Sequence, residues 1–200
     1  MRLDVILGAG YRARLGDARE VLIRAARSGD EQSIQAFVGG LSLVSRYQRF
    51  FLSLRELPSA MLDHLLRPDP GGEAALLALN THGDRCTEVV GLVQYGAASA
   101  GNSAEVAVVV ADAWRRSGLA TRLLSDLTQV AACTGVTHIE ADILRDNFAA
   151  IQLASKLGAN PGTSPNGHTL VRVSRALAVP AETRLPAGNQ PVRFSVAPAC

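Results

Sequence analysis

A chain of 200 residues, 48% hydrophobic but only 4% aromatic, is the size of one domain and can bury a Leu/Val/Ala core with few aromatic anchors. Its net charge of +2 is too near neutral to make nucleic acid or an anionic membrane the default partner. The cysteines (Cys86, Cys133, Cys200) and histidines (His64, His82, His138, His168) show no metal-ligand spacing, so the expectation is no metal and free thiols in a reducing cytoplasm. No window reaches the ~20 apolar residues of a membrane span, and Arg12, Arg14, Asp17 and Arg19 interrupt any signal-peptide core. Lys156 is the only lysine, which fits a coding bias and marks no site.

In chain order, Val5 to Ala13 fits G-x-G-x-x-A after a short apolar run, the beginning of a dinucleotide site. The pattern stops there. Leu15-Gly16-Asp17-Ala18 interrupts the helix such a site needs, and Val21-Leu22-Ile23 ends in Arg24 rather than in an acid. A hairpin reads better, with strands near Tyr11–Leu15 and Val21–Ala25 around a turn at Gly16–Arg19. Asp30 is placed to cap a helix through Ile34, Phe37 and Val38 to Gly39-Gly40. Ser42 opens a second helix containing Arg46-Tyr47-Gln48-Arg49-Phe50-Phe51. Pro58 precedes a third, Ser59 to Leu66.

Residues 68–72 read as a loop, Ala74–Leu79 and Val89–Tyr95 as strands around a turn at His82-Gly83-Asp84, and Ala98–Asn102 as another turn. Glu105–Ala111 is the strongest strand signal: Val106, Val108, Val109 and Val110 suit a central strand buried on both faces. Gly118–Ala132 is an amphipathic helix, Thr137–Ile143 a strand, Asn147–Leu157 a helix closed by Gly158, and His168–Leu177 the last strand. The organisation is one domain over 1–178, with 1–20 an N-terminal hairpin extension, and a Pro-rich tail over 179–200.

The chemistry starts where the Val-rich strand passes through Asp112-Ala113-Trp114-Arg115-Arg116-Ser117-Gly118 into a helix. A helix start offers about four unpaired N–H groups and a partial positive charge, hence an anion site. Gly118 sets no Cβ in the way of a phosphate, Ala120 is nearly as small, and Arg115 and Arg116 add charge.

Arg115-Arg116-Ser117-Gly118-Leu119-Ala120 resembles the Q/R-x-x-G-x-G/A loop of the GNAT N-acetyltransferases, and Asn147 through Gly158 resembles their second conserved block. Within that family, Ser42-Leu43-Val44-Ser45-Arg46-Tyr47-Gln48-Arg49-Phe50-Phe51 and Ala104–Trp114 are similar to bacterial protein-lysine acetyltransferases. The resemblance, over about residues 20–177, implies an α+β fold: a mixed, mostly antiparallel twisted sheet flanked by helices, holding acyl-CoA at a strand–loop–helix. It implies acetyl-CoA as cofactor, bound by Val108, Val110, Arg115, Arg116, Ser117, Gly118, Leu119, Ala120, Thr121 and Asn147. It also implies an amine acceptor such as a protein lysine, with a small-molecule amine or a non-catalytic CoA-binding role as alternatives, and it leaves room for a homodimer. The regulatory domains often fused to that group are not carried over.

Glu105 is the candidate general base for an amine that arrives protonated; the alternative is a solvated strand end. Asn147 can hydrogen-bond the cofactor arm, cap its helix, or both. Many GNAT enzymes place a thiol-protonating tyrosine seven residues after this Asn, where the chain has Ala154, so Ser155 or water takes over or the thiolate leaves unprotonated. Arg46 and Arg49 share a helix face, which is either solvated, or faces an acidic substrate, or closes a salt bridge near the acceptor groove. Tyr47, Phe50 and Phe51 are expected in the core.

Overall fold

The computed structural model describes residues 3–67, 73–82, 85–97 and 102–178. Among these residues, eight strands form one sheet: β1 Tyr11–Arg14, β2 Glu20–Ala25, β3 Ala74–His82, β4 Arg85–Ala97, β5 Ser103–Val110, β6 His138–Leu144, β7 Asn160–Thr163 and β8 Leu170–Ala176. Their spatial order is β1-β2-β3-β4-β5-β6-β8-β7. Every pairing is antiparallel except β5 with β6. The helices are α1 Leu3–Leu7, α2 Glu31–Gly40, α3 Leu43–Phe50, α4 Ser59–Leu66, α5 Leu119–Cys133 and α6 Phe148–Lys156. This is the mixed, mostly antiparallel α+β sheet that the sequence led one to expect.

Period-two alternation along the strands divides the core between two faces. Ile23, Leu76, Val93 and Val106 meet Leu119, Leu123, Leu127 and Val130 of α5 on one face. Leu77, Leu92 and Val109 meet Ile34, Val38, Phe50, Leu65 and Leu66 of α2, α3 and α4 on the other. β4 runs directly beneath α5. A Cβ on Gly91 would lie 2.8 Å from Leu123 Cδ1, so any larger residue there would force the buried Leu123 side chain to shift.

Several local readings are revised by tertiary contacts. The apolar run Val5–Leu7 belongs to a short helix, while the hairpin after it pairs as expected and forms the sheet edge. Asp30 stands at the N-cap of α2 but makes no side-chain cap bond. Its carboxylate instead accepts two bonds from the buried Arg24 guanidinium, both 2.7 Å. β5 is central, with Val106, Val109 and Val110 buried, but Glu105 is exposed and Ala107 and Val108 are half-buried. β7 adds a strand that the sequence reading did not include: Asn160-Pro161-Gly162-Thr163 has no strand signal of its own and is held as an edge by β8. The expected loop at 68–72, most of the turn at 98–102, Gly83-Asp84, the tail at 179–200 and the side chain of Cys86 lie outside the described residues.

Candidate active site

The site begins where two parallel strands part. β5 and β6 pair only at Ser103–His138, Ala104–Ile139 and Glu105–Glu140. β5 continues beside β4 as far as Val110, and β6 continues beside β8 as far as Leu144. Beyond Glu105 the two strands therefore diverge into a cleft. The Ala111 amide donates to the Val90 carbonyl, on the β4 side. By alternation, the backbone groups of Val108 and Val110 face the cleft, where β6 no longer meets them. Polar backbone left unpaired beside a cleft invites a ligand with amides of its own.

At the open end β5 passes through a single 3-10 turn, Asp112–Trp114, into the loop before α5. Arg116 (φ 61°) and Gly118 (φ 87°) are both left-handed, which turns the chain sharply into the helix. Nothing lies within 4 Å of where a Cβ on Gly118 would be, so the helix start is open on that side. The first intrahelical bond runs from the Arg122 amide to the Gly118 carbonyl. The amides of Gly118, Ala120 and Thr121 are thus among those the helix cannot use. Ser117 is buried and turned inward: its hydroxyl donates to the Trp114 carbonyl (2.7 Å) and accepts from the Leu119 amide (3.3 Å). Arg115 is tied to α3, donating to Ser45 Oγ at 2.7 Å and pairing with Asp112 at 3.2 Å. Arg116 and Thr121 are exposed. The groups this loop offers to an anion are its unused backbone amides and the exposed Arg116 side chain.

At the closed end lies a cluster of charge. Alternation and register set Glu105, Glu140, Asp142 and Arg172 on the face of the sheet that α3 covers. Arg172 is fully engaged, with Glu140 Oε1 at 3.0 Å and with both Asp142 oxygens at 2.8 and 2.6 Å. Asn166 also donates to Asp142. Burial opposes the Asp142 charge, but bonds from Arg172 and Asn166 outweigh it and hold the carboxyl below the usual range. Glu105 behaves in the opposite way. One side of it is exposed, yet the surrounding protein desolvates its carboxylate, and the nearby charge of Asp142 adds repulsion. Its pKa is raised, against the opposing pull of Arg172 and Arg49.

The GNAT acetyltransferase family model matches residues 35–159. A protein of Pseudomonas aeruginosa named as an acetyltransferase is 32% identical over 157 residues, 78% of this chain and 84% of that protein. The chain belongs to the GNAT acetyltransferase family. Among solved structures, the GNAT domain of S. lividans PAT superposes with a TM-score of 0.75 at 25% identity, covering 84% of this chain and 97% of that one. The fold is shared at lower identity (20%, TM-score 0.64) with yncA of Salmonella typhimurium, a structure containing its cofactor acetyl-CoA; 82% of this chain and 98% of that one are covered. As a GNAT acetyltransferase, the protein uses acetyl-CoA as its cofactor.

In this GNAT domain Asn147 is the N-cap of α6, its Oδ1 accepting from the Ala150 amide at 3.2 Å. Capping and cofactor binding remain compatible, because the Asn147 amide NH₂ is a separate donor. Ala154 is half-buried and Ser155 exposed on the same helix.

The sequence misjudged α3. Arg46 and Arg49 do not lie on a solvated face: Arg46 is buried and donates to the Gly39 carbonyl at 3.1 Å, and the Nε atoms of both arginines are buried without a partner. Tyr47 and Phe51, expected in the core, are exposed. With Leu43 and Val44, Tyr47 lines a cleft of about 350 Å³ that reaches Leu144 and Asp146 at the end of β6. Sequence reasoning also passed over Glu140, Asp142 and Arg172. Their only local signal is a strand whose polar residues alternate on one face.

Among the described residues no group of His, Cys, Asp and Glu could hold a metal ion, and no helix is long and apolar enough to cross a membrane.

Proposed function

We propose that the protein transfers an acetyl group from acetyl-CoA to a lysine side chain of another protein, with Glu105 as general base. The observation that carries this reading is the position of Glu105, the last β5 residue paired with β6 before the cleft opens. Acetyl-CoA supplies an activated acetyl thioester; transfer forms an amide on the acceptor nitrogen and releases the thiol. The amides at the start of α5, Arg115, Arg116 and the backbone of Val108 and Val110 bind and align the cofactor, and Asn147 steadies its arm. Glu105 accepts the proton of the acceptor ammonium, directly or through water, so that a neutral amine can attack. Its raised pKa, the result of desolvation and of the nearby Asp142 charge, brings its basicity nearer to the task. Ala154 offers no proton to the departing sulfur; Ser155 or water does so, or it leaves as thiolate, which an ordinary thiol pKa near 8.5 tolerates.

A protein acceptor is favoured by two features. The segment Ser42–Phe51 resembles protein-lysine acetyltransferases, and the same segment turns Leu43 (62% exposed), Val44 (60%) and Tyr47 (49%) toward solvent beside the cleft. An apolar surface next to carboxylates suits a macromolecule presenting a cation.

Glu105→Gln keeps the size and removes the basicity. The expected result is a fall on the order of 10²-fold in turnover, typical of a general base, with acetyl-CoA affinity by calorimetry unchanged. Thioester release would be followed across proteins, polyamines and aminoglycosides. Efficient turnover of small amines, with an acyl-CoA synthetase left unmodified, would replace the protein-lysine reading by the small-amine one.

A further inference from the structure

The β1–β2 hairpin forms one edge of the sheet, and its turn, residues 15–19, lies against the loop before α5. Arg19 Nη1 donates to the Ala113 carbonyl at 3.0 Å, and its guanidinium carbon sits 4.1 Å from the centroid of the buried Trp114 ring. A Cβ on Gly16 would lie 3.9 Å from the Ser117 carbonyl oxygen, so the turn also meets the loop farther along. Asp17 fixes the pose of Arg19: its carboxylate accepts from Arg19 Nε at 2.8 Å and from Nη2 at 2.6 Å. One edge of the planar guanidinium is thereby held, and the remaining nitrogen is aimed at Ala113.

β1 grips the following helix as well. Tyr11 Oη donates to Asp126, which is buried in α5, and accepts from Arg122 Nε at 2.7 Å. The hairpin therefore touches both the loop and the N-terminal half of the helix that the loop introduces. The loop needs such support. Arg116 carries a Cβ and is still held at φ 61°, a backbone state that persists only where the surroundings enforce it. The Arg115 amide meets the Asp112 carbonyl at 3.3 Å, long for an N–H···O bond. One external support comes from α3, through Arg115 and Ser45. The hairpin turn is a second, at Ala113 and Trp114.

We propose that Arg19 is a positioning residue for acetyl-CoA binding: through Ala113 and Trp114 it holds the loop in the shape that presents the first amides of α5. No local pattern signals this, because Arg19 and Ala113 are 94 residues apart in the chain. The inference rests on the reading of this loop as the cofactor site.

Trp114 is the only tryptophan of the chain, so its fluorescence reports on the loop directly. In the full-length protein, Arg19→Met removes the bond to Ala113 and the pair with Asp17 while keeping an unbranched stem. Acetyl-CoA affinity by calorimetry falls about tenfold, as for a loop that is competent about one-tenth of the time. Without cofactor, acrylamide quenches Trp114 more strongly in Arg19→Met than in wild type, and saturating acetyl-CoA removes the difference. A ring merely uncovered by the missing guanidinium would stay quenched with the cofactor bound. Unchanged affinity in Arg19→Met, or excess quenching that acetyl-CoA does not reverse, overturns the proposal. Should Arg19→Met fail to fold, Asp17→Ala, which frees the guanidinium from its orienting carboxylate, decides by the same two criteria. Gly118→Asp separates the proposal from the reading beneath it. Wild-type affinity in Gly118→Asp removes the loop from the cofactor site, and the role of Arg19 with it. A loss in Gly118→Asp with none in Arg19→Met overturns the role of Arg19 alone.

Discussion

Helices α5 and α3 are both amphipathic, and they are oriented in opposite senses. α5 buries Leu119, Leu123, Leu127 and Val130 at 0–1% exposure against the sheet, as apolar periodicity requires. α3 has as clear a division of faces, but Ser45 and Arg46, at 2% and 4%, are buried beside Phe50, and Leu43 and Val44 are in water. Periodicity tells which residues share a face. It does not tell which face the tertiary structure covers. Where burial is the only demand, as under α5, the apolar face goes inward. Where polar groups need partners, as the Asp112 carboxylate and the Gly39 carbonyl do beneath α3, a hydroxyl and a guanidinium go inward instead.

That contrast can be broken by substitution, starting with the largest effect. Leu127→Ala in α5 empties a fully buried site and should lower stability by about 2–5 kcal/mol, read from the denaturant midpoint. A loss below about 1 kcal/mol would mean that α5 is not the helix that organises this core. Next, Gly118→Asp places a carboxylate at the open start of α5, where the diphosphate is expected. Acetyl-CoA affinity should fall on the order of 10²-fold, equivalent to one charge-assisted hydrogen bond of about 3 kcal/mol. Affinity at the wild-type level by calorimetry would remove the loop from the cofactor site.

Smaller effects sharpen the comparison. Asn147→Ala removes the α6 cap and should cost about 1 kcal/mol in stability. A loss of acetyl-CoA affinity well beyond that would show that the remaining amide donor also holds the cofactor. Leu43→Ser on α3 should change stability by no more than about 0.5 kcal/mol, although it removes a leucine from a helix. If it lowers turnover with a protein acceptor while sparing a small amine, the exposed face of α3 is the acceptor surface.

By itself, the sequence determined the elements whose signal is local. The Val-rich β5, the α5 helix with Gly118 before it, the Ser42 and Asn147 caps and the β1–β2 hairpin all follow from neighbouring residues. The strand–loop–helix proposed to hold the cofactor was legible as structure for the same reason: a strand, a glycine and a helix start are contiguous in the chain. Only the tertiary structure decided the rest. The fork depends on residues 103–105 finding 138–140 and no further, a pairing set by what β4 and β8 leave available. β7 exists because β8 offers an edge, not because Asn160-Pro161-Gly162-Thr163 favours a strand. The inward arginines of α3 and the Glu140–Asp142–Arg172 cluster belong to segments far apart in the chain. Coulomb interaction and desolvation depend on distance in space, so which charges meet Glu105 could be known only after the chain had folded.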